Sequence, residues 1–313
     1  MTRFILQRLV SGVVILFAVS LLAFAMLYTN SDNVARRILG QNATAEQVDQ
    51  RMAELGLDRP LWRQYLDWLQ GALHGDFGRS WFTGELVVDG VTSRLAVTLS
   101  IVLGATIASA VIGVVLGLVA ATRGGWVDRG MQLISILGFA IPGFLVALGL
   151  VLLFAIQLGW FKATGYIPLS TSLSGWISSV TLPVAALAIG TVAVVAQQIR
   201  GSVVDAMSKD YVRTLRSRGL SDRRVVGKHV LRNAAGPALA VLAVQFIGLL
   251  GGAVIIEQIF AIPGLGQLAV SSTVKADIPM VMGLVVATAL IVVVVNLLID
   301  LAQAVLNPKV RLK

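Results

Sequence analysis

Apolar residues in this chain come in long runs, not in stripes. Six stretches carry at most one charged residue apiece: about 9–28, 97–121, 131–158, 180–199, 238–259 and 280–304. Each is about 20 residues or longer, the length at which a helix crosses the hydrocarbon core of a bilayer. A helix is what such a run must form, because in lipid each backbone N–H and C=O has to be satisfied within its own segment. The pattern therefore predicts an all-α integral membrane protein with six transmembrane helices. Pro142–Gly143 falls inside the third span and predicts a kink there, with Ser135 or a neighbouring helix taking up the freed carbonyl. Gly104, Ala108, Gly113 and Gly117 stud the second span with small residues, which lets another helix come close.

Two polar stretches interrupt the runs. The first is Thr29–Arg94. Thr44 and Gln47 have capping-box spacing, so a helix opens there and stops near Gly56. Pro60 in a first turn opens a second helix, with Leu61, Tyr65, Trp68 and Leu69 as its apolar stripe. Gly71, Gly75, Asp76, Gly78 and Ser80 then break regular structure. About 66 residues bury too little core to stand alone, so this is a small helical insertion that packs on the membrane domain. The domain reading is residues 1–28 for the N-terminal segment and first span, 29–95 for an extracytoplasmic helical cap, and 96–313 for a core of five spans.

The second polar stretch is a loop at 201–236. From Arg200 to Arg232 nine Lys/Arg stand against three Asp. Val203, Val204, Met207, Tyr211 and Leu215 recur at helical spacing. Asp210 suits an N-cap, Gly219 a left-handed stop and Ser221 a second N-cap, after which Val225, Val226 and Val230 share a face. The stretch reads as helix, glycine turn and second helix, exposing Arg213, Arg216, Arg218, Arg223, Arg224 and Lys228. Three roles fit: a solvated segment that only fixes topology, a binder of anionic lipid headgroups, or a docking element for a soluble protein. Paired helices with an apolar stripe favour docking. Spans on both sides pin the stretch to the bilayer, which argues against a DNA-reading helix-turn-helix.

Charge gives the loop a side. With the N-terminus inside, sixteen of the 25 Lys/Arg fall on the inner side and nine outside, where the long Thr29–Arg94 segment is net acidic by two. That is the positive-inside pattern, so the net charge of +9 reflects topology and no nucleic-acid partner. Both termini and the basic loop are placed in the cytoplasm, with the protein multi-pass in its membrane. Charged residues make up only 13% of the chain, against about 25% in soluble proteins. The first run is too long for a signal-peptide h-region and no A-x-A-like site follows, so it reads as a retained span. The chain has no Cys, hence no disulfide framework, thiolate nucleophile or Cys-based metal site. No G-x-x-x-x-G-K-[ST] occurs, and no Ser/His/Asp set lies on one side of the membrane. His74 and His229 fall far apart in the topology and cannot pair on a metal. The chain reads as non-enzymatic, with no catalytic residue, metal or cofactor of its own.

The loop resembles the EAA loop of ABC importer permeases. With Gly219 as the family's glycine, Leu231 matches its leucine, while Arg213-Thr214-Leu215 stands at the Glu-Ala-Ala place and Arg232 at the proline. Tyr211-Val212-Arg213-Thr214, Arg216, Gly219-Leu220 and His229-Val230-Leu231-Arg232-Asn233 are similar to the dipeptide/oligopeptide/nickel branch; Leu215, Ser217 and Arg218 depart from its usual Ala, Ala and Lys. So are Leu55–Pro60, Gly75–Ser80, Ile141-Pro142-Gly143-Phe144, Glu257–Gly266, Asn296-Leu297, Asp300 and Asn307–Arg311. The chain looks like the B-type permease of that branch. The resemblance implies binding-protein-dependent, ATP-driven import of small peptides by alternating access, or of a nickel chelate or another small solute. It implies a second homologous permease as heterodimer partner, an extracytoplasmic substrate-binding protein, and two cytoplasmic ATP-binding subunits that hold ATP and Mg. The expected coupling residues are Tyr211, Arg213, Thr214, Leu215, Arg216, Gly219, Leu220, Ser221, Arg223, Arg224, His229, Leu231, Arg232 and Asn233.

Further candidates lie at the span ends. Glu257, with Phe260, Pro263, Gly264 and Gly266, forms an outer turn with a gating role, or else Glu257 only accepts hydrogen bonds from that turn. An intramembrane acid is a functional candidate by default. Asn296 and Asp300, four apart on the sixth span, read as helix–helix glue. The rival readings are a self-sufficient secondary carrier or channel, whose inverted repeats and midplane charges are not evident here, and a non-transporting membrane scaffold that recruits a soluble protein.

Overall fold

The computed structural model describes residues 2–28, 32–40 and 42–306; the closing Asn307–Arg311 motif lies outside them. Among the described residues the chain is helical, with no strand and one isolated bridge between Arg79 and Leu86. In order the helices are α1 (Thr2–Tyr28), α2 (Asp32–Leu39), α3 (Ala45–Glu54), α4 (Leu61–Leu73), α5 (Val87–Arg123), α6 (Gly125–Ala140), α7 (Gly143–Leu150), α8 (Leu173–Met207), α9 (Asp210–Ser217), α10 (Asp222–Arg224), α11 (Leu231–Ile259), α12 (Leu265–Lys275) and α13 (Ile278–Leu306). π-Helical turns at Val151–Gln157 and Val225–Val230 extend α7 and join α10 to α11.

Five of these helices are long and apolar enough to cross a membrane, and a sixth crossing is possible only through a bent pair. The pair is α6 and α7, which meet at 95°. The expected kink at Pro142 is thus a full break. Proline offers no N–H and drives its predecessor out of the α region; Ile141 is accordingly extended, at φ −90 and ψ 119. Ser135 does not repair the break, because its hydroxyl donates to the Met131 carbonyl of its own helix at 2.9 Å. Elsewhere the helices overrun their apolar runs. α5 has 37 residues, about 55 Å at 1.5 Å each, against a hydrocarbon core of about 30 Å.

The described chain forms two compact units. One comprises Thr98–Ile262 and the residues from Val295 on. Its centre is α8, which buries residues on all sides along its length, from Ser179 to Ala206. The small residues of α5 do what their spacing predicts. A Cβ on Gly117 would stand 2.5 Å from the Ala196 carbonyl oxygen, and one on Gly113 would stand 2.7 Å from Val195. The two helices therefore touch backbone to backbone.

The other unit comprises Thr2–Val97 and Pro263–Val294. It differs from the division read in the sequence, which kept α1 and residues 263–294 apart from the insertion. The reason is a shared core: Phe24 and Tyr28 of α1 and Ile278 and Met282 of α13 are buried together with Val34, Leu57 and Tyr65. Phe24 stacks on Tyr28 at 3.9 Å and meets Tyr65 edge-on at 5.3 Å. The capping box forms as expected, with Gln47 N–H donating to Thr44 Oγ1 and Thr44 N–H to Gln47 Oε1. Of the α4 stripe, Tyr65, Trp68 and Leu69 pack inward, whereas Leu61 in the first turn is exposed.

Candidate functional site

The basic stretch folds as a hairpin between α8 and α11. Lys209, extended at φ −73 and ψ 147, holds the position before α9 without a side-chain cap bond. Asp210 is therefore the first helical residue, not the expected cap, and its charge there favours the positive end of the helix. α9 stops as predicted at Gly219, whose φ is +80. Leu220 N–H donates to the Leu215 carbonyl and Gly219 N–H to the Arg216 carbonyl, a closing pair that needs a left-handed residue between them. Ser221 stands at the next N-cap, but its backbone carbonyl, not its hydroxyl, receives the Arg224 and Val225 N–H groups. The second helix is not a separate piece. α10 runs through the Val225–Val230 π turn into α11, with Pro237 inside the helix and not at its edge. π turns inside longer helices are frequent at functional sites.

Packing makes the hairpin part of the membrane helices. Val212, Val225 and Val230 are fully buried and share one cluster with Val203 and Ala206 of α8 and Ala234, Ala238 and Leu242 of α11. Tyr211, Leu215 and Leu220 pack over that cluster, as do Val114 and Leu118 of α5. The predicted stripe fails at Val204, which is exposed. The chain breaks at Ser208–Lys209, so α9 starts a new phase, and Val203, Ala206 and Val212 take the inward places.

Two polar contacts close the hairpin. Arg216 Nε donates to Asp222 Oδ1 at 2.9 Å, and Asn233 Nδ2 donates to the Tyr211 hydroxyl at 3.1 Å and the His229 carbonyl at 3.2 Å. Arg216 and Asn233 thus hold one leg to the other. Arg213, Thr214, Arg218, Arg223, Arg224, Lys228 and Arg232 are exposed, while His229 and Leu231 are half-buried. An ion pair that the sequence reading missed stands nearby: the Arg200 guanidinium grips both carboxylate oxygens of Asp128, tying α8 to the first turn of α6. Asp128 is the only acidic residue between Asp89 and Asp205, a signal the sequence does carry.

The outer-turn candidates fall on both sides of the division between the two units. Glu257 is fully buried and accepts the Thr98 hydroxyl at 2.6 Å; its backbone carbonyl accepts Ile262 N–H at 2.9 Å around Ala261, which is left-handed at φ 48. Phe260 is buried and its carbonyl receives Gly165 N–H at 2.8 Å. Pro263, Gly264 and Gly266 belong to the other unit, where Gly264 precedes α12 in extended conformation and Gly266 is buried. No helix was expected there, and α12 ends on a left-handed alanine, Ala276 at φ 60. The same unit holds Asp277, also missed. Its buried carboxylate accepts the Ser80 hydroxyl at 2.5 Å and Trp81 N–H at 3.2 Å, so it clamps the Gly75–Ser80 loop.

Residues 113–312 match the family of binding-protein-dependent transport system inner membrane components, and residues 1–102 match the N-terminal family of the same membrane components. A Brucella abortus (strain 2308) protein named as the permease of a peptide transport system is 36% identical over 312 residues, covering 99% of each chain. The glutathione transport system permease protein GsiC of Escherichia coli (strain K12) is 34% identical over 314 residues, covering 100% of each. Among solved structures, a chain of the MetNI methionine ABC transporter in inward-facing conformations aligns with a TM-score of 0.57 at 16% identity, over 69% of this chain and 96% of that one. At that identity the likeness is one of fold. Taken together, the full-length matches and the shared fold make this chain a member of the binding-protein-dependent transport system inner membrane components, a multi-pass permease of the ABC importer type.

Proposed function

We propose that this chain is one of two permease subunits of an ATP-driven importer of small peptides, and that the Arg213–Asn233 hairpin is where an ATP-binding subunit docks. The observation that carries this reading is the buried cluster running from Val195 and Ile199 in α8, through Val212, Val225 and Val230, to Leu242 in α11. A hairpin packed into two membrane helices moves with them, because a close-packed interior transmits displacement. ATP and Mg sit in two cytoplasmic partner subunits, whose closure pushes on the hairpin and rocks α8 and α11 between access states. A binding protein delivers peptide from the outer side, and a second, homologous permease completes the pathway. In this reading both termini and the hairpin are cytoplasmic, and residues 32–86 face outward. The peptide class is supported by full-length relatives named for peptide and glutathione transport.

Within the hairpin the roles divide. Gly219, Tyr211, Leu215, Leu220, Ser221 and Asn233 keep its shape, with Arg216 adding a weak surface closure; Arg213, Thr214, Arg223, Arg224 and Arg232 meet the ATPase, with His229 and Leu231 bracing the second leg. The test is co-purification of the ATP-binding subunits with the tagged permease pair. Gly219→Pro removes the left-handed stop and is expected to abolish it, and Arg213→Glu with Arg224→Glu to reduce it at least tenfold, while both variants still insert. Normal assembly and transport in both variants would sink the docking proposal. Uptake by this chain alone, driven by a proton or sodium gradient, would establish the secondary-carrier reading instead.

A further inference from the structure

A cavity of about 440 Å³ opens in the first unit where the third span breaks. Its walls are the Ile141–Pro142 break, one face of α8 and one face of α11. Gly190, Gly248 and Gly252 leave much of that wall without side chains. Among the described residues the wall carries no charged side chain, and its polar side chains are Thr191 and Gln245. The Thr191 hydroxyl is turned back to its own helix, on the Leu187 carbonyl at 3.4 Å.

Gln245 differs. It is the eighth of the 22 residues of the apolar run 238–259 in α11, which places it inside the hydrocarbon, about 5 Å from the middle of that run. It is half-buried, and no described residue hydrogen-bonds its side chain. An amide that opens into a cavity at that depth has its donors and acceptor available to whatever enters, and polar residues inside membrane segments mark solute pathways. A neutral amide offers one acceptor and two donors. That set matches the C=O and N–H of a peptide group and carries no net charge to draw or repel an ion. A cavity of this size is in the range that holds a small organic ligand.

We propose that Gln245 contacts the cargo in this cavity, hydrogen-bonding the backbone amide of a passing peptide, and that this site reads the peptide bond and not the charge of side chains or termini. The proposal deepens the peptide-import reading above and rests on it.

The test uses the complete transporter in proteoliposomes, with its own ATP-binding subunits and binding protein, and three probes: radiolabelled trialanine, its analogue with the central N–H replaced by an ester oxygen, and Ala-Lys-Ala. The wild type is expected to favour trialanine over the ester. Gln245→Leu is expected to lower trialanine uptake roughly fivefold, about one neutral hydrogen bond, and to erase its preference over the ester. Gln245→Glu is expected to raise uptake of Ala-Lys-Ala relative to trialanine roughly threefold or more, a gain that misfolding cannot produce. The binding protein is the same throughout, so its own selectivity cancels in these ratios. A Glu variant that transports at the wild-type ratio overturns the proposal. A lower yield of the permease pair in Gln245→Leu, with the uptake ratios of the pairs that do assemble unchanged, would assign the amide to a subunit contact and overturn it as well. Failure of the wild type to import any of the three probes would overturn the peptide reading itself, before any substitution is compared.

Discussion

The hairpin between α8 and α11 and the segment from Asp32 to Leu86 are both polar stretches of similar purpose in outline, since each interrupts the membrane runs and meets the aqueous phase. They are held in different ways. The hairpin is held by aliphatic packing: Val212, Val225 and Val230 are fully buried in a cluster continuous with two long helices, and its polar contacts are few and exposed. The Asp32–Leu86 segment is held by an aromatic knot at Phe24, Tyr28, Tyr65 and Trp68, and by directed polar contacts. Asp277 takes the Ser80 hydroxyl and the Trp81 N–H, and Ser20 pairs with the Tyr65 hydroxyl at 3.0 Å. Under the proposed docking role the hairpin has to move with α8 and α11, and packing continuous with both helices does that. In the Asp32–Leu86 segment directional hydrogen bonds and stacked rings fix the shape instead.

The contrast can be broken at either end. Asp277→Ala should do the most damage. It leaves the Ser80 hydroxyl and the Trp81 N–H without their acceptor and is expected to cost about 3 kcal/mol, read as an earlier thermal transition of the purified chain; a change under about 1 kcal/mol would mean the clamp is incidental. Val230→Ala, which removes two methyl groups from the hairpin core, is expected to cost about 1–2 kcal/mol. It should also weaken the stimulation of ATP hydrolysis by the loaded binding protein more than it weakens assembly. Equal loss of both would mean the cluster serves folding alone. Arg216→Ala should do least. Its pair with Asp222 is exposed, and exposed pairs are worth less than about 1 kcal/mol, so melting should be unchanged within error. A large loss there would show that the polar closure, and not the valine core, sets the hairpin's shape.

Much of this was readable from residues. Five of the six apolar runs gave single long helices and the third a broken pair, Thr44 and Gln47 gave the capping box, and Gly219 gave the hairpin turn, because each is a local signal with one physical meaning. Boundaries were harder. α8 starts seven residues before its apolar run and α5 ten before, since helix propensity continues past the hydrocarbon edge where hydropathy stops. α12 was hidden because its stop is Ala276, where a glycine would have announced it, and Ala261 ends α11 the same way. Asp128 with Arg200 and Asp277 with Ser80 are pairs 72 and 197 residues apart. A lone sequence marks such residues as unusual but does not say what they meet. Pro142 was visible, yet whether proline kinks or breaks a helix depends on the neighbours that take over its lost contacts.

The docking role of the hairpin is tested most directly by a photocrosslinking residue in place of Arg213, activated in intact membranes that contain the whole transporter. Arg213 is 81% exposed at its side chain, so the substitution leaves the valine core untouched. The expected product is a single adduct with an ATP-binding subunit, lost when Gly219→Pro is added. Adducts with lipid alone, or an ATP-binding adduct of the same yield in the Gly219→Pro background, would contradict it.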